Sequence, residues 1–506
     1  MFVVYEIDSL RILAVSNDNA RGTVFSTTDV SLMYPGVSIS SITADFPEAH
    51  PGYKIIFEDD IPIGTESTDG RLFLLPKSEV DKSRNIIRQK RMGQAKFRVD
   101  GNFHRLFEEM VPSIRQIDAS TLEEMRDGRF FSSAKPVGWW GSFLDAGGYA
   151  NMNREIVSRL FCRGFVPIPD IYPTVAQVDK KTEKLLRSLS ILRPHDSRYP
   201  KVYAFTPMPH GRHGGKSIFF TMMETSTLHG DFSRYCNTYS DEVWVPSVAN
   251  AELFRNGGVR KPIKVVPLGI DEKLYSSSKR SYDLSTCKSV YGRPPTDGIG
   301  KFKFLTVIQW NLRKGYDAII KSFVRSFHEE DDVCLVISTQ YSIDTVKGTL
   351  DRYLDRKTDL PQVLLCNNVI PIDDMPSLYD SCDCYVHLSR GEGFSLTQIE
   401  AAARGLPVIS CLHSGMSEYL RRDNSFVVEC TGTEDCPQEL SAISYFYQGQ
   451  KLWRVGMEQV EQASAHMKMV VSGNEVVAER ANRLRKEVLD RYTWKSAVNR
   501  VVGLLQ

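Results

Sequence analysis

The stretch that decides the fold is Ser389-Arg-Gly-Glu-Gly-Phe-Ser-Leu-Thr-Gln-Ile-Glu-Ala-Ala-Ala-Arg-Gly-Leu-Pro-Val-Ile-Ser410. It follows an apolar run, Tyr385-Val-His-Leu, that reads as a short buried strand. The alanine-rich run Leu396 to Arg404 reads as a helix, which Gly405 stops before Pro407-Val-Ile opens the next strand. The stretch is therefore strand, glycine-containing loop, helix, strand. Ser395 with Gln398 three residues later fits a capping box, which makes Leu396 the first helical residue. Free backbone N–H groups and the helix dipole at that point suit an anion such as a phosphate. Gly391 and Gly393 carry no side chains to block a ligand. Glu392 lies in the loop. Glu400 lies one turn into the helix, and helical side chains tilt toward the N-terminus, so it points back toward the same pocket. Carboxylates beside an anion site suit hydroxyl groups, and a ligand with both phosphate and hydroxyls is a nucleotide-sugar.

The Glu392/Glu400 pair, in the setting Gly-Phe-Ser-Leu and Glu-Ala-Ala-Ala-Arg-Gly-Leu-Pro-Val-Ile, resembles the donor-site Glu-x7-Glu motif of family 4 retaining glycosyltransferases. The bare spacing is weak; the whole string is far more specific. The segments Met222-Met-Glu-Thr-Ser-Thr, Tyr239-Ser-Asp-Glu-Val-Trp-Val-Pro-Ser and Val265-Val-Pro-Leu-Gly-Ile-Asp271 are similar to the far side of the first domain and the interdomain link of that family.

Size and composition agree with this reading. A chain of 506 residues holds two or three domains, and 42% hydrophobic with 25% charged residues is ordinary for a globular protein. A net charge of +1 exerts no global pull toward nucleic acid or membranes. Ten cysteines lie beyond residue 161 without a C-x-x-C pair, and Cys382 with Cys384 cannot chelate a metal alone, so reduced thiols in a cytoplasmic compartment are expected. No signal peptide and no transmembrane segment are expected, since no uncharged apolar run approaches the length of a spanning helix.

Residues 1–130 form an N-terminal accessory region, β-rich or α+β, of unassigned role. Phe2-Val-Val-Tyr, Arg11-Ile-Leu-Ala-Val, Gly22-Thr-Val-Phe, Tyr53-Lys-Ile-Ile-Phe and Arg71-Leu-Phe-Leu-Leu read as short strands. The run from Lys82 to Arg98 is basic and free of acids. It reads first as a solvated helix or linker; a nucleic acid such as modified DNA, another phosphate-bearing acceptor, or peripheral contact with an anionic membrane surface stays open.

From Ala134 strands and helices alternate, which implies parallel sheets. The loop Gly141 to Gly148, with Gly147 and Gly148, leads from a first strand into a helix over 151–163 and lets a ligand approach backbone, as a plain tight turn also would. The loop Pro207 to Lys216 carries His210, Arg212, His213 and Lys216 among three glycines, equally a site loop and a surface loop. Residues 276–300 read as a surface loop. Phe302-Lys-Phe-Leu-Thr-Val-Ile-Gln opens the second domain as a strand. Arg313 and Lys314 follow in a strand-to-helix loop just before Gly315, where adjacent cations suit a diphosphate. His387, a lone His on an apolar strand, reads as a core residue. Trp494, Val498, Val501 and Leu505 share one face of a final helix.

The resemblance covers about residues 135–506. It implies an α/β GT-B fold, two facing Rossmann-like domains: 131–268 on the acceptor side, joined by the helix 490–506, and 269–489 on the donor side. It implies transfer of a glycosyl unit from a UDP-, GDP- or ADP-sugar with retention, with no cofactor and no metal required. Arg313, Lys314 and Glu392 would do the chemistry. Glu400, Gly393, Phe394, Ser395, Leu396, Thr397, Asn311, Val369, Gly147, Gly148 and His210 would hold donor or substrate, Val369 lying where the family holds the base. The acceptor stays open among glycan, lipid, protein and modified nucleic acid. A GT-B sugar phosphorylase or epimerase, and a non-catalytic nucleotide-sugar-binding protein, are the rival readings.

Overall fold

The computed structural model describes residues 134–506 except 175, 191–192, 195–197, 212–213 and 355–357, together with short strands between residues 2 and 98. Two compact units are present: Met1–Gly138 with Val157–Tyr199, and Trp139–Ile156 with Pro200–Gln506.

In the first unit, Phe2–Glu6 pairs antiparallel with Arg11–Ser16, and Tyr53–Glu58, Ile61–Ser67 and Leu72–Leu74 form an antiparallel sheet. Four of the five expected strands therefore form, and Ile61–Ser67 adds one that Pro62 and Gly64 obscure in the sequence. The expected strand at 22–25 and the basic run, apart from the strand Phe97–Arg98, lie outside the described residues. This unit also contains the 3-10 turn Phe161–Arg163, the strand Phe165–Ile171, the helix Lys180–Ser190 and the two-residue strand Arg193–Pro194.

The second unit carries two parallel sheets. The first uses the end of β1 (Lys135–Gly141, of which residues 139–141 fall in this unit), β2 (Lys201–Ala204), β3 (Ser217–Phe220), β4 (Glu242–Val245) and β5 (Ile263–Val265), side by side in the order β5-β4-β3-β2-β1. Helices α1 (Gly148–Leu160), α2 (Gly230–Tyr239) and α3 (Val248–Asn256) connect or flank them. Every residue of β3 and β4 is buried, as apolar runs in a parallel sheet covered on both faces must be. Asn153 of α1 fixes the turn after β1: it accepts from Trp139 Nε1 at 2.9 Å and donates to the carbonyls of Ser142 and Ala204.

The second sheet contains β6 (Lys288–Tyr291), β7 (Phe302–Val307), β8 (Val333–Ser338), β9 (Gln362–Cys366), β10 (Cys384–His387), β11 (Val408–Cys411) and β12 (Phe426–Val428), in the order β6-β9-β8-β7-β10-β11-β12. β6 is the antiparallel edge; the rest run parallel. β6 lies inside the stretch read as a surface loop, because a four-residue strand among Ser, Gly and Pro gives no periodic signal. Counted from β7, the parallel strands lie 3-2-1-4-5-6, and the order reverses between β7 and β10. At such a reversal the following connections leave to opposite faces and open a crevice at the strands' carboxyl ends.

The chain reaches that crevice through α4 (Tyr316–Ser326) after β7 and α5 (Leu396–Ala403) after β10. A small hairpin, β13 (Thr433–Asp435) with β14 (Lys451–Trp453), follows. Its connecting residues Leu440, Phe446 and Tyr447, with Leu452, share an apolar cluster with Phe219, Met223, Phe232, Val243 and Phe254 of the first sheet and its helices. The long helical tail is two helices, α6 (Met457–Ser472) and α7 (Glu475–Arg491), broken at Gly473. The last helix, α8 (Trp494–Leu505), buries Trp494, Val498 and Val501. Thr493 bridges to Ile270, and Arg500 Nε donates to the Val265 carbonyl at 3.4 Å, tying this helix to the end of the first sheet.

Candidate functional site

The loops after β7 and β10 meet across the order reversal. Gly315 adopts φ +75°, and a Cβ there would lie 1.9 Å from the Leu388 carbonyl oxygen, so only glycine lets the two loops approach this closely. Arg390 N–H donates to the Arg313 carbonyl at 2.7 Å, and Ser389 Oγ donates to the same oxygen at 3.0 Å. Arg390 also forks onto Asp317 of α4, both bonds at 2.8 Å, and donates to Glu434 of the hairpin at 2.7 Å. This arginine is a structural clamp that fixes the loop on which Glu392 stands.

Glu392 is the centre of a buried charge cluster. Its Oε1 accepts from Lys314 Nζ at 2.8 Å and lies 3.0 Å from His387 Nε2 and 3.5 Å from Arg313 NH1. Burial alone would raise the Glu392 carboxyl, but Lys314 and Arg313 override it and hold it well below the ordinary carboxylate range. Burial lowers His387, so the neutral imidazole donates its Nε2–H to Glu392 while Nδ1 has no partner. Burial also lowers Lys314, against the pull of Glu392. Arg313 donates to the Gly391 carbonyl at 2.5 Å, and its other terminal nitrogen lies 3.8 Å from Glu224, which accepts from Tyr447 at 3.1 Å. The structure thus brings Arg313, Lys314 and Glu392 together. It adds Glu224, Tyr447 and His387, the last of them both a core residue and a polar partner.

The room left by the two loop glycines is taken up by protein. A Cβ on Gly391 would fall 1.7 Å from the Glu224 carbonyl oxygen, and one on Gly393 would meet the Met222 side chain at 2.5 Å. The segment after β3 lies directly on the loop.

The helix start differs from the expected capping box. α5 does begin at Leu396, but Ser395 adopts φ 68°, ψ 80° and makes no side-chain cap. Gln398 is fully buried and turned toward Met416, which removes it from the box. The left-handed backbone at Ser395 aims Oγ away from the first-turn N–H groups, and that buried hydroxyl has no partner. A non-glycine residue held there is strained, as residues at ligand sites often are. Phe394 is buried against Tyr419 and Tyr492. Thr397 accepts from Tyr385 at 2.8 Å. Glu400 does not join the cluster; it accepts from Tyr379 at 2.7 Å, and burial raises its carboxyl with Glu155 adding to the effect.

Among the described residues, three further buried polar atoms without partners belong to the same edge of the sheet: Trp310 Nε1 and Asn311 Oδ1 after β7, and Thr339 Oγ1 after β8. Val369 lies after β9, largely exposed. Of the residues after β1, Gly147 donates its N–H to Asp145 at 2.7 Å, and Gly148 starts α1 with open space around it. His210 stacks on Tyr203 at 3.8 Å between ring centres and faces Phe219 and Tyr239, so its contacts are with the first sheet and not with the charge cluster. Arg212 and His213 lie outside the described residues.

Residues 301–444 match the family model described as Glycosyl transferases group 1. The mannosylfructose-phosphate synthase of Agrobacterium fabrum (strain C58) is 26% identical over 161 residues, which are 31% of this chain and 34% of that enzyme. The match thus spans about a third of the curated relative. Among solved structures, Anabaena HepE (Alr3699) in complex with UDP-glucose superposes with a TM-score of 0.53 at 13% identity, covering 73% of this chain and 99% of that one. The same protein with UDP and glucose gives 0.52 with the same coverage and identity. The fold is therefore GT-B, and the match to the group 1 glycosyltransferase model falls within its second Rossmann-like half, which supports a glycosyltransferase.

Proposed function

We propose that the protein is a retaining glycosyltransferase of the family 4 type, with residues 269–489 binding a nucleotide-sugar and residues 131–268, with 490–506, facing the acceptor. The observation that carries this is the reversal between β7 and β10. There two cations, Arg313 and Lys314, follow Trp310 and Asn311 in the loop after β7, and these two, with Thr339 after β8 and Ser395 before α5, hold buried polar atoms without partners among the described residues. Such a crevice takes a ligand with anionic and hydrogen-bonding parts, and the match of residues 301–444 to glycosyl transferases group 1 supports reading that ligand as a sugar donor.

In this reading Arg313 and Lys314 neutralise the departing diphosphate, which is the main electrostatic task of the reaction. The bond from the anomeric carbon to the diphosphate oxygen breaks with its electron pair leaving on the diphosphate. The acceptor hydroxyl bonds to the same face of that carbon, and its proton passes to the diphosphate. Glu392 orients Lys314 and contacts the donor sugar; Glu400 holds ribose hydroxyls. The two carboxylates are not a glycosidase pair. The cations already present meet the diphosphate charge without a divalent ion.

A panel of UDP-, GDP- and ADP-sugars scored by thermal stabilisation tests the reading. One donor is expected to raise the melting temperature of the wild type and to lose that effect in Lys314→Ala and Glu400→Gln. If no member of the panel stabilises the protein, or if both variants respond as wild type does, the donor site is elsewhere.

A further inference from the structure

Cys411, His413 and Cys430 bring two thiol sulfurs and a ring nitrogen within 4.8 Å of one another, 19 positions apart at their widest in the chain. The register explains how. β11 and β12 run parallel with Cys411 opposite Val428, and the Leu412 N–H donates to the Val428 carbonyl at 3.1 Å. Cys411 is the last residue of β11, His413 lies two residues beyond it in extended backbone (φ −166°, ψ 176°), where the alternation of side chains still favours the same side, and Cys430 lies two residues beyond the end of β12. Cys411 and His413 are buried, Cys430 is partly open, and both thiols are free.

His413 is held as a ligating imidazole is held. Its Nε2 lies 2.9 Å from the Ser389 carbonyl, which can only accept, so the proton sits on Nε2 and Nδ1 is an acceptor, facing the Ser414 hydroxyl at 3.1 Å, a contact that a bound ion would replace. The ring stacks on Trp453 at 5.2 Å. A histidine that donates its second ring N–H to a backbone carbonyl is the usual outer support of a metal site. Zinc–sulfur bonds of about 2.3 Å in tetrahedral geometry separate neighbouring ligand atoms by about 3.8 Å. The observed spread therefore needs shifts of about 1 Å or less to close on one ion.

We propose that Cys411, His413 and Cys430 bind a single thiophilic divalent cation of the zinc class, with a fourth position open on the Cys430 side. Two thiolates and one neutral imidazole balance its charge, which suits a mostly buried site. The ion is structural. It pins β11 to β12 and, through His413 and the Ser389 carbonyl, fixes the start of the loop that carries Glu392.

The test uses full-length protein stripped with chelator and kept reduced, and it reads metal rather than sugar transfer, so its outcome is independent of the proposed activity. Cobalt(II) is expected to bind at one equivalent per chain with a thiolate charge-transfer band and the visible bands of a tetrahedral ion, which zinc then bleaches. Cys430→Ser is expected to lose the charge-transfer intensity and bind at least tenfold more weakly. In the wild type, mapped alkylation is expected to show zinc shielding Cys411 and Cys430 but leaving the partly exposed Cys436 reactive. This measurement needs no variant to fold. A six-coordinate cobalt spectrum, unchanged colour in Cys430→Ser, equal alkylation with and without zinc, or a Cys411–Cys430 disulfide that excludes metal would each overturn the site.

Discussion

Lys314 Nζ and Glu392 Oε1, 78 positions apart in the chain, meet at 2.8 Å in the interior, and Glu392 holds His387 and faces Arg313 as well. Buried ion pairs seldom add much net stability, but losing one partner leaves the other charged and unpaired, at a cost of about 3–5 kcal/mol. Here Arg313 remains to compensate Glu392 when Lys314 is removed, so Lys314→Ala is expected to lose only about 1–3 kcal/mol, below that range. Lys314→Met combined with Glu392→Gln is expected to regain most of this loss while leaving donor binding impaired. Urea denaturation and donor titration of the single and double variants separate the two effects.

The same cluster sets an acid limit. Glu392 is held well below its reference value of 4.5, so its contribution is fully present above pH 4.5 and is lost as pH falls through the depressed folded value. Stability measured from pH 6 down to about 2 is expected to drop more steeply in wild type than in Glu392→Gln. Parallel curves would show that Glu392 carries no such linkage.

Gly391 meets the Glu224 backbone at a distance no Cβ can share. Gly391→Ala must push the loop off the segment after β3, and a loss of roughly 3 kcal/mol or more is expected, at the upper end for single substitutions. Gly348→Ala is the control: it sits in the helix Ile343–Leu350 with nothing within 4 Å, and gains about 0.5–1 kcal/mol from helix propensity. Thermal melts of the two variants should move in opposite directions.

Much of the second sheet was legible because its signals are local. The runs Phe302 to Gln309, Val333 to Ser338 and Tyr385 to Leu388 are apolar, and glycines mark the loops that follow β7 and β10. The position of Arg313 and Lys314 in the loop after β7 was legible for the same reason. What stayed hidden depends on register and on docking. Glu224 and Tyr447 reach the cluster only because the hairpin and the segment after β3 fold onto the loop. Cys411 and Cys430 converge only through parallel pairing. The capping box failed because Ser395 takes a left-handed conformation that the local sequence does not favour, imposed by packing of Phe394 and Gln398 on Tyr419 and Met416.

Glu400 offers the clearest separation of stability from function. Burial raises its carboxyl above 4.5, and the Tyr379 hydroxyl offsets only part of that. For a carboxyl with a raised folded pKa, the stabilising contribution is present below the unfolded value and is lost as pH rises through the folded one. Above pH 4.5 the buried Glu400 carboxyl therefore costs the fold stability, and Glu400→Gln removes the ionisable group while its amide oxygen can still accept from Tyr379. The variant is expected to be more stable than wild type at pH 7, with the advantage shrinking as pH falls and disappearing below pH 4.5. If Glu400 accepts from ribose hydroxyls as proposed, the same variant binds donor more weakly, because a neutral acceptor makes a weaker hydrogen bond than a carboxylate. Higher stability with lower donor affinity is the expected pair of results. Higher stability with unchanged affinity would leave Glu400 a packing residue, and lower stability at pH 7 would mean that its charge is compensated in the fold.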